Sequence, residues 1–398
     1  MKRQNLITLI TAIIFITSVS IFRAFFAPHN TVENPLIVGF IHEGDESIPY
    51  TDNFMRSQHK LKEQFGDRIK IYSRENVTPD YVDDVLDDLA RLNCELIFTT
   101  SYSHAIVAKE FAEKHPKIQI CQAAGDNAHT EPYLRNYHTF MGQIYQGRYI
   151  SGIVAGMKLQ EMINENKITS EKAKVGYVAA YPYPEVISGF TAFLLGVRSI
   201  VPTATMTVSY VYTWNSFSIE KNCAEHLIDE GCVIISQHSD TIGPASACEE
   251  NFEKNVFHIG YNSSAVSMAP MTSLISTRVN WTPYIIGAVK AVIGKKSIEK
   301  TVKGDVHGND ISAGFDLDWV QMLELNTIIA APGTQKKIND EIQRFKHGKS
   351  TVFSGDYIGV NPYDESDTID LNRGFKENSS SSYPSFGYIL KDVITVEE

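Results

Sequence analysis

The chain has 398 residues, 43% of them hydrophobic and 21% charged, with a formal net charge of −11 at pH 7. This length allows two domains of ordinary size, each able to bury a stable core without disulfide bonds or a structural metal. The negative charge argues against nucleic acid as a partner, because phosphates would repel the protein and the sequence shows no concentrated basic face to overcome that repulsion.

The amino terminus is predicted to direct export. Lys2 and Arg3 precede an uncharged stretch, 4–22, that is rich in isoleucine, threonine and phenylalanine. A basic flank followed by an apolar segment is typical of an export signal. The stretch is close to the length that spans a bilayer and 24–27 is a poor cleavage site, so 1–30 is either a signal peptide or a membrane anchor. The rest of the chain is therefore expected outside the cytoplasm, anchored to the membrane or secreted at the cell surface.

From Leu36 onward, predicted strands and helices alternate in two series. The first series has strands at 36–41, 69–72, 96–100 and 118–123, with helices at 52–65, from 78, and at 103–114. The second has helices at 146–162, 185–200, 218–229 and 245–254, with strands at 175–180, 205–212, 233–236 and 256–261. This α/β alternation predicts, for each series, a parallel sheet with helices on both faces.

A repeated pattern relates the two series. In 90–101 and again in 228–239, a polar helix end is followed by a turn, a cysteine, a continuous apolar run and a serine. A strand that is apolar throughout is buried on both faces, and ligands of such sheets bind beyond the carboxyl ends of the strands. The repeat therefore predicts two similar lobes with a ligand cleft near Ser101 and Ser239.

The two lobes are predicted to be discontinuous and joined by ordered hinge strands. The connection at 137–145 has no Pro-, Gly- or Ser-rich linker, and a helix predicted at 283–293 is expected to return to the first lobe. The polar C-terminal tail is 364–398, and its part from Asp364 to Tyr383 is expected to be a mobile surface extension. The predicted boundaries are 36–140 plus about 263–320 for the N-terminal lobe and 141–262 plus about 321–360 for the C-terminal lobe.

The sequence does not support an enzyme. His238, Ser239 and Asp240 are adjacent, and neighbours on an extended segment point to opposite faces, so they cannot form a catalytic relay; no Gly-x-Ser-x-Gly elbow is present either. The acidic loop at 43–46 lacks a second ligand cluster, and the five cysteines include no Cys-x-x-Cys pair. We therefore predict no catalytic residue, no metal site and no cofactor.

Six short segments, which occur in one order between about 36 and 355, carry a family resemblance. They are 142–149, 176–186, 213–214, 237–240, 260–263 and 281–284. In sequence and order they resemble the basic membrane protein family, the solute-binding proteins of bacterial nucleoside importers. The resemblance implies a type I periplasmic-binding-protein fold, in which two Rossmann-like parallel-sheet lobes are joined by a hinge of crossing segments and hold one purine nucleoside or nucleobase between them.

The resemblance also implies binding residues. An aromatic residue near the first helix of each lobe resembles half of a stacking clamp, and Tyr50 and Trp214 occupy these positions. A flat heterocycle gains from stacking on both faces, so such a clamp would couple binding to closure of the lobes. Tyr50 could instead be a plain helix-edge aromatic. The other candidates are Asn53, Tyr102, Asp240 and Asn262 for polar contacts, although Asp240 and Asn262 could instead cap helices, and Trp281, which either binds or packs at the hinge.

Departures from the family pattern leave the ligand open. Where the family has Gly-Tyr-Asp-Ser-Asp, 260–264 carries Asn262 and Ser264, so two carboxylates are replaced by neutral groups. The ligand is then either different from a ribonucleoside or a free base that needs no hydroxyl clamp. The hinge is expected near Tyr145, Asn262 and Thr277.

We predict an extracytoplasmic protein that captures a purine nucleoside or nucleobase for an ABC-type importer. The main alternative is a sensor that uses the same lobes to signal through the membrane anchor. A nucleoside-processing enzyme is a third alternative, but it would need a carboxylate cluster and a metal that the sequence does not offer.

Overall fold

The computed structural model describes residues 34–397, in which β-strands and α-helices alternate over most of the chain. The strands of the first half are β1 (Leu36–Ile41), β2 (Ile69–Arg74), β3 (Leu96–Thr99), β4 (Gln119–Ala123), β5 (Tyr137–Gly142), β6 (Lys174–Ala179), β7 (Thr205–Tyr210) and β8 (Ile234–His238). Those of the second half are β9 (Phe257–Tyr261), β10 (Ser273–Val279), β11 (Asp305–His307), β12 (Asp310–Ala313), β13 (Val320–Met322), β14 (Ile358–Asn361), β15 (Asp364–Asp370), β16 (Ile389–Leu390) and β17 (Ile394–Glu397). The helices are α1 (Pro49–Phe65), α2 (Val82–Arg91), α3 (Ala105–Lys114), α4 (Tyr145–Asn164), α5 (Pro184–Arg198), α6 (Phe217–Asp229), α7 (Gly243–Glu250), α8 (Thr282–Ile293), α9 (Ile298–Thr301) and α10 (Thr334–Lys346).

Lobe 1 is built on a sheet with the order β11-β12-β5-β4-β3-β1-β2, parallel except for the edge strand β11. Successive residues of β3 point to opposite faces, so Leu96 and Phe98 enter one core cluster and Ile97 enters another. Helices α1 and α8 supply apolar side chains to the first cluster, and α2 and α3 supply them to the second. This arrangement explains why β3 is apolar throughout.

Lobe 2 repeats this plan with the order β13-β10-β9-β8-β6-β7-β17, in which β13 is antiparallel to β10 and the other pairings are parallel. Helices α4 and α5 contribute to the core on one face, and α6 and α7 contribute to the core on the other. The prediction of two α/β lobes with helix-covered parallel sheets is therefore confirmed.

The chain crosses between the lobes three times. The crossings lie at about 142–145, 279–282 and 313–320, where a strand of one sheet leads into an element of the other lobe. Tyr145 begins α4 at the first crossing, and Thr277 precedes the second by only a few residues. Asn262 is not at a crossing, because β10 continues in the same sheet as β9. The second crossing thus falls near residue 280, whereas the predicted boundary was about 263.

The C-terminal tail is not the surface extension that its polar composition predicts. Strands β14, β15 and β16 form a small antiparallel sheet, and β17 pairs in parallel with β7 at the edge of lobe 2. Leu371 and Ser382 are fully buried within 364–383, as are Phe386 and Leu390 beyond it. The prediction was wrong because a few widely spaced apolar residues anchor the segment, and average composition does not reveal them.

The predicted signal peptide or anchor, 1–30, lies outside the described residues. Within 34–397, no helix combines the length and the apolar character needed to cross a bilayer. The five cysteines are free thiols.

Candidate functional site

A cleft of about 210 Å³ lies between the two lobes, beyond the carboxyl ends of the strands. Lobe 1 lines it with residues that follow β1, β3 and β4, and lobe 2 lines it with residues at or just after the ends of β6, β7, β8 and β9. This is the location where open α/β sheets bind ligands. The side chains that line the cleft include Glu43, Tyr50 and Tyr102 from lobe 1, and Tyr181, Glu185, Trp214, His238, Asp240 and Tyr261 from lobe 2.

Tyr50 presents a fixed aromatic ring on the lobe 1 side of the cleft. Pro49 begins α1, and Tyr50 is the next residue of the same first turn. The Tyr50 hydroxyl donates a 2.7 Å hydrogen bond to the carbonyl oxygen of Thr100 at the end of the neighbouring strand. Its ring meets that of Phe54 edge-on, with centroids 5.4 Å apart. The ring is half-buried and oriented by contacts at both ends.

Trp214 lies on the lobe 2 side, on the loop between β7 and α6. Its indole is half-buried and packs against the ring of Tyr181, with centroids 5.4 Å apart. The backbone of the same loop is also fixed, because the amide of Asp240 donates a 2.7 Å hydrogen bond to the carbonyl oxygen of Trp214. Tyr50 and Trp214 therefore line one cleft from opposite lobes.

Three carboxylic acids also line the cleft. Glu43 accepts hydrogen bonds from the hydroxyls of Ser101 and Ser103. Glu185 Oε1 lies 3.4 Å from Nε2 of His238, a ring whose pKa is lowered to about 4 by burial and by the nearby Arg148 charge. Burial raises the pKa of Asp240 to about 7.

The wall of the cleft is consequently rich in hydrogen-bond acceptors. Among the described residues that line it, none is a lysine or arginine, and His238 is neutral at neutral pH because its pKa is about 4. Such a wall favours a neutral ligand that donates hydrogen bonds and repels a phosphorylated one.

Asn53 and Asn262 join the lobes next to the cleft. The side-chain amide of Asn53 donates to the backbone oxygen of Asn262 at 3.2 Å and to its side-chain oxygen at 3.3 Å. The Asn262 amide donates in turn to Asp240 Oδ1 at 2.9 Å. Both asparagines are buried and neither lines the cleft, so the structure shows an inter-lobe chain that holds Asp240.

Trp281 lies away from the cleft wall, at the second crossing. It is 1% exposed, and its indole stacks on Phe54 with ring centroids 4.5 Å apart. It also meets Tyr50 edge-on at 5.9 Å. Of the two alternatives for this residue, the structure shows hinge packing, in which Trp281 supports Tyr50 from behind.

Tyr102 lines the cleft at the edge of lobe 1. Its hydroxyl donates to Asp126 Oδ2 at 3.1 Å, and its ring lies 5.8 Å from that of Tyr183 in lobe 2. On another side it stacks on Tyr383 of the C-terminal tail, with centroids 5.4 Å apart.

Within residues 34–397, no group of three or more His, Cys, Asp or Glu side chains is arranged to hold a metal ion.

Comparison with known proteins identifies the family. Residues 36–348 match the family model described as ABC transporter substrate-binding protein, PnrA-like (Bmp). The chain belongs to this family. Bmp proteins bind small-molecule ligands outside the cytoplasm and work with ABC transporters. The resemblance found in the six sequence segments is thereby confirmed.

The chain is also similar to individual binding proteins, in sequence and in structure. A purine-binding protein from Brucella abortus is 28% identical over 326 residues, which cover 81% of this chain and 84% of that protein. A putative ABC transporter glucose-binding protein from Haloferax volcanii is 29% identical over 229 residues, 58% of this chain and 54% of the other. The crystal structure of an ABC transporter solute-binding protein from Aeropyrum pernix matches with a TM-score of 0.65 at 15% identity, over 83% of this chain and 95% of that one. The type I periplasmic-binding fold is confirmed.

Arg148 is a cleft-supporting residue that the sequence analysis missed, although it lies in the Bmp segment 142–149. It is fully buried, and its guanidinium carbon lies 3.6 Å from the centre of the Tyr261 ring, which lines the cleft. Its Nη1 donates a 2.8 Å hydrogen bond to the carbonyl oxygen of Gln237. A single charged residue in an otherwise uncharged start of α4 was the available signal.

Proposed function

We propose that this protein captures a purine nucleoside or nucleobase between its lobes and delivers it to an ABC-type permease. The observation that supports this most strongly is the pair Tyr50 and Trp214, which line one cleft from opposite lobes. Planar heterocycles gain most from such an arrangement, because both faces of the ring meet an aromatic side chain. The purine-binding relative from Brucella abortus, similar over most of both chains, supports the same ligand class.

The size and charge of the cleft restrict which ligands it can hold. Its volume of about 210 Å³ is below the roughly 300–1,000 Å³ typical of sites for drug-sized molecules, which suits a compact ligand. Glu43, Glu185 and Asp240 would accept hydrogen bonds from ring N–H groups, exocyclic amines or sugar hydroxyls. We therefore propose an unphosphorylated purine, with nucleotides excluded by repulsion.

A thermal-shift panel tests the ligand class. Hypoxanthine, adenine, inosine, adenosine and guanosine are compared with inosine monophosphate and with glucose, and we expect at least one of the unphosphorylated purines to raise the Tm by several degrees. A ligand at 100 times its Kd stabilises the native state by about 2.7 kcal/mol. Inosine monophosphate is the matched control, since it differs from inosine only in its phosphate. Stabilisation by glucose alone would refute a purine ligand, and stabilisation by the nucleotide would refute the charge argument.

Delivery to a permease is tested separately. Cells that lack this protein are expected to lose uptake of the stabilising purine, and a wild-type copy of the gene is expected to restore it. Normal uptake in the deletion strain would contradict a role in import.

Purine affinity is expected to depend on pH around neutrality through Asp240. Its pKa is raised to about 7 by burial, reinforced by Glu220 and Glu185 and opposed by Asn262 and Arg148. Only the ionised carboxylate accepts a hydrogen bond at both oxygens, so affinity should fall by up to about tenfold for each pH unit below 7. Calorimetric titration between pH 5.5 and about 8 measures this.

The control for that profile is Asp240→Asn, which cannot ionise. Its purine affinity should not change with pH over the same range, because the buried imidazole ring of His238 stays neutral down to a pH of about 4. An equally flat profile in the unaltered protein would contradict the assignment.

A further inference from the structure

The C-terminal tail contacts both lobes beside the ligand cleft. Residues 349–397 lie beyond the segment that matches the family model, which ends at 348. Within them, the segment 377–386 begins and ends with buried contacts in lobe 2 and makes two contacts with lobe 1 in between. We refer to 377–386 as the tail bridge.

Both ends of the tail bridge are attached to lobe 2. Glu377 is buried and accepts a 2.6 Å hydrogen bond from the hydroxyl of Ser188 on α5. The backbone amides of Ser385 and Phe386 donate to the same carboxylate, at 2.6 Å and 3.2 Å. The fully buried Phe386 then enters the core, and β17 follows as a strand of the lobe 2 sheet. Both ends of the bridge must therefore move with lobe 2.

The middle of the tail bridge makes fewer contacts with lobe 1, but one of them is next to the cleft. The backbone amide of Ser382 donates a 2.6 Å hydrogen bond to Oδ2 of Asp310, which is itself fully buried in lobe 1. The ring of Tyr383 stacks on that of Tyr102, with centroids 5.4 Å apart and planes 29° apart. Tyr102 lines the cleft, whereas Tyr383 is 7% exposed and lies behind it.

Given a ligand in the cleft as proposed above, we infer that the tail bridge is a third component of the binding site, in which Tyr383 positions Tyr102 and latches lobe 1 to lobe 2. The bridge is continuous with β17 of lobe 2 and is anchored in the core by Phe386. Opening of the lobes therefore separates the bridge from lobe 1. The Ser382 and Tyr383 contacts are therefore lost on opening and stabilise the closed form. Ligands leave through the open form, so these contacts slow dissociation.

Tyr383→Leu tests this inference in the full-length protein, because it removes the ring and keeps an apolar side chain. An aromatic pair contributes about 0.5–1.5 kcal/mol beyond its buried area, so dissociation of adenosine or inosine should be about 2- to 12-fold faster by stopped-flow fluorescence. Association should be nearly unchanged. Tyr383→Phe keeps the stack and should restore the slow rate, which a general loss of stability would not do.

A matched control comes from the same tail. Tyr363 is 75% exposed, and its hydroxyl donates to the carbonyl oxygen of Pro182 in lobe 2. Tyr363→Leu should leave the dissociation rate as it is. Equal dissociation rates for Tyr383→Leu and the unaltered protein would overturn the latch.

A measurement without ligand tests the tail bridge independently of whether the ligand is a purine. Hydrogen exchange of the backbone amides at 100–102, in the full chain without ligand, should be at least about threefold faster in Tyr383→Leu than in the unaltered protein or in Tyr363→Leu. Faster exchange together with no purine binding would refute the purine ligand and support the bridge. Equal exchange in all three proteins, with purines bound normally, would refute the bridge and leave the ligand unaffected.

Discussion

Trp214→Ala is expected to weaken purine binding about 10- to 100-fold without unfolding the protein. Stacking of one base on an aromatic side chain contributes about 1–3 kcal/mol, and 1.4 kcal/mol corresponds to about a tenfold change in Kd. The indole is only half-buried. The hydrogen bond between Trp214 and Asp240 joins two backbone groups, so the loop retains it after the substitution. Isothermal titration calorimetry with the purine that binds the unaltered protein measures the loss.

Two further variants make this result specific. Trp214→Phe keeps an aromatic face and should retain most of the affinity. Phe217→Ala removes a 47% exposed ring three positions along the chain that does not line the cleft, and it should have no effect. An unchanged Kd in Trp214→Ala would show that the ligand does not stack on this residue.

Gly196→Ala is expected to destabilise lobe 2 by about 3 kcal/mol or more. A Cβ at this position would lie 2.1 Å from the backbone oxygen of Tyr149, and one at Gly152 would lie 1.9 Å from that of Phe193. These distances are far below van der Waals contact and the clashing atoms are backbone, so α4 and α5 would have to separate. Urea unfolding measures the change.

The same substitution should also impair the ligand site. Helix α4 carries Arg148 and α5 carries Glu185, so their separation displaces two charged groups at or beneath the cleft. Gly387→Ala is the matched control, because no atom lies within 4 Å of its added Cβ. Its stability should be unchanged or slightly higher. Near-equal stability of the Gly196 and Gly387 variants would contradict the close packing of the two helices.

The fold was largely predictable because its signals are local. The continuous apolar runs of β3 and β8, each after a polar helix and a small turn, indicate central strands of parallel sheets, and the structure has both in these positions. The tail was not predictable in this way. Ser382 belongs to a serine run typical of mobile segments, yet it is buried because its amide meets Asp310, 72 positions away.

The candidate site was predictable in the same measure. Tyr50, Tyr102, Trp214 and Asp240 follow strand ends or begin helices, and all four line the cleft. Asn53 and Asn262 are 209 positions apart, so their contact across the lobes depends on how the lobes are placed, which sequence spacing does not contain.

Aromatic or charged character alone did not distinguish residues that line the cleft from residues that pack behind it. Trp281 is as aromatic as Trp214 but is buried at the hinge, and Arg148 acts from beneath Tyr261. The residue type of each was visible in the sequence, whereas its depth depended on tertiary packing.

Tryptophan fluorescence during titration with the purine tests most directly whether the ligand is held between the lobes. The chain has three tryptophans, and Trp281 and Trp319 are each 1% exposed, which leaves Trp214 to report on the cleft. We expect a saturable change in emission whose midpoint equals the calorimetric Kd, and we expect Trp214→Phe to bind without that change. Calorimetric binding that leaves the emission of the unaltered protein constant would contradict a ligand held between the lobes at Trp214.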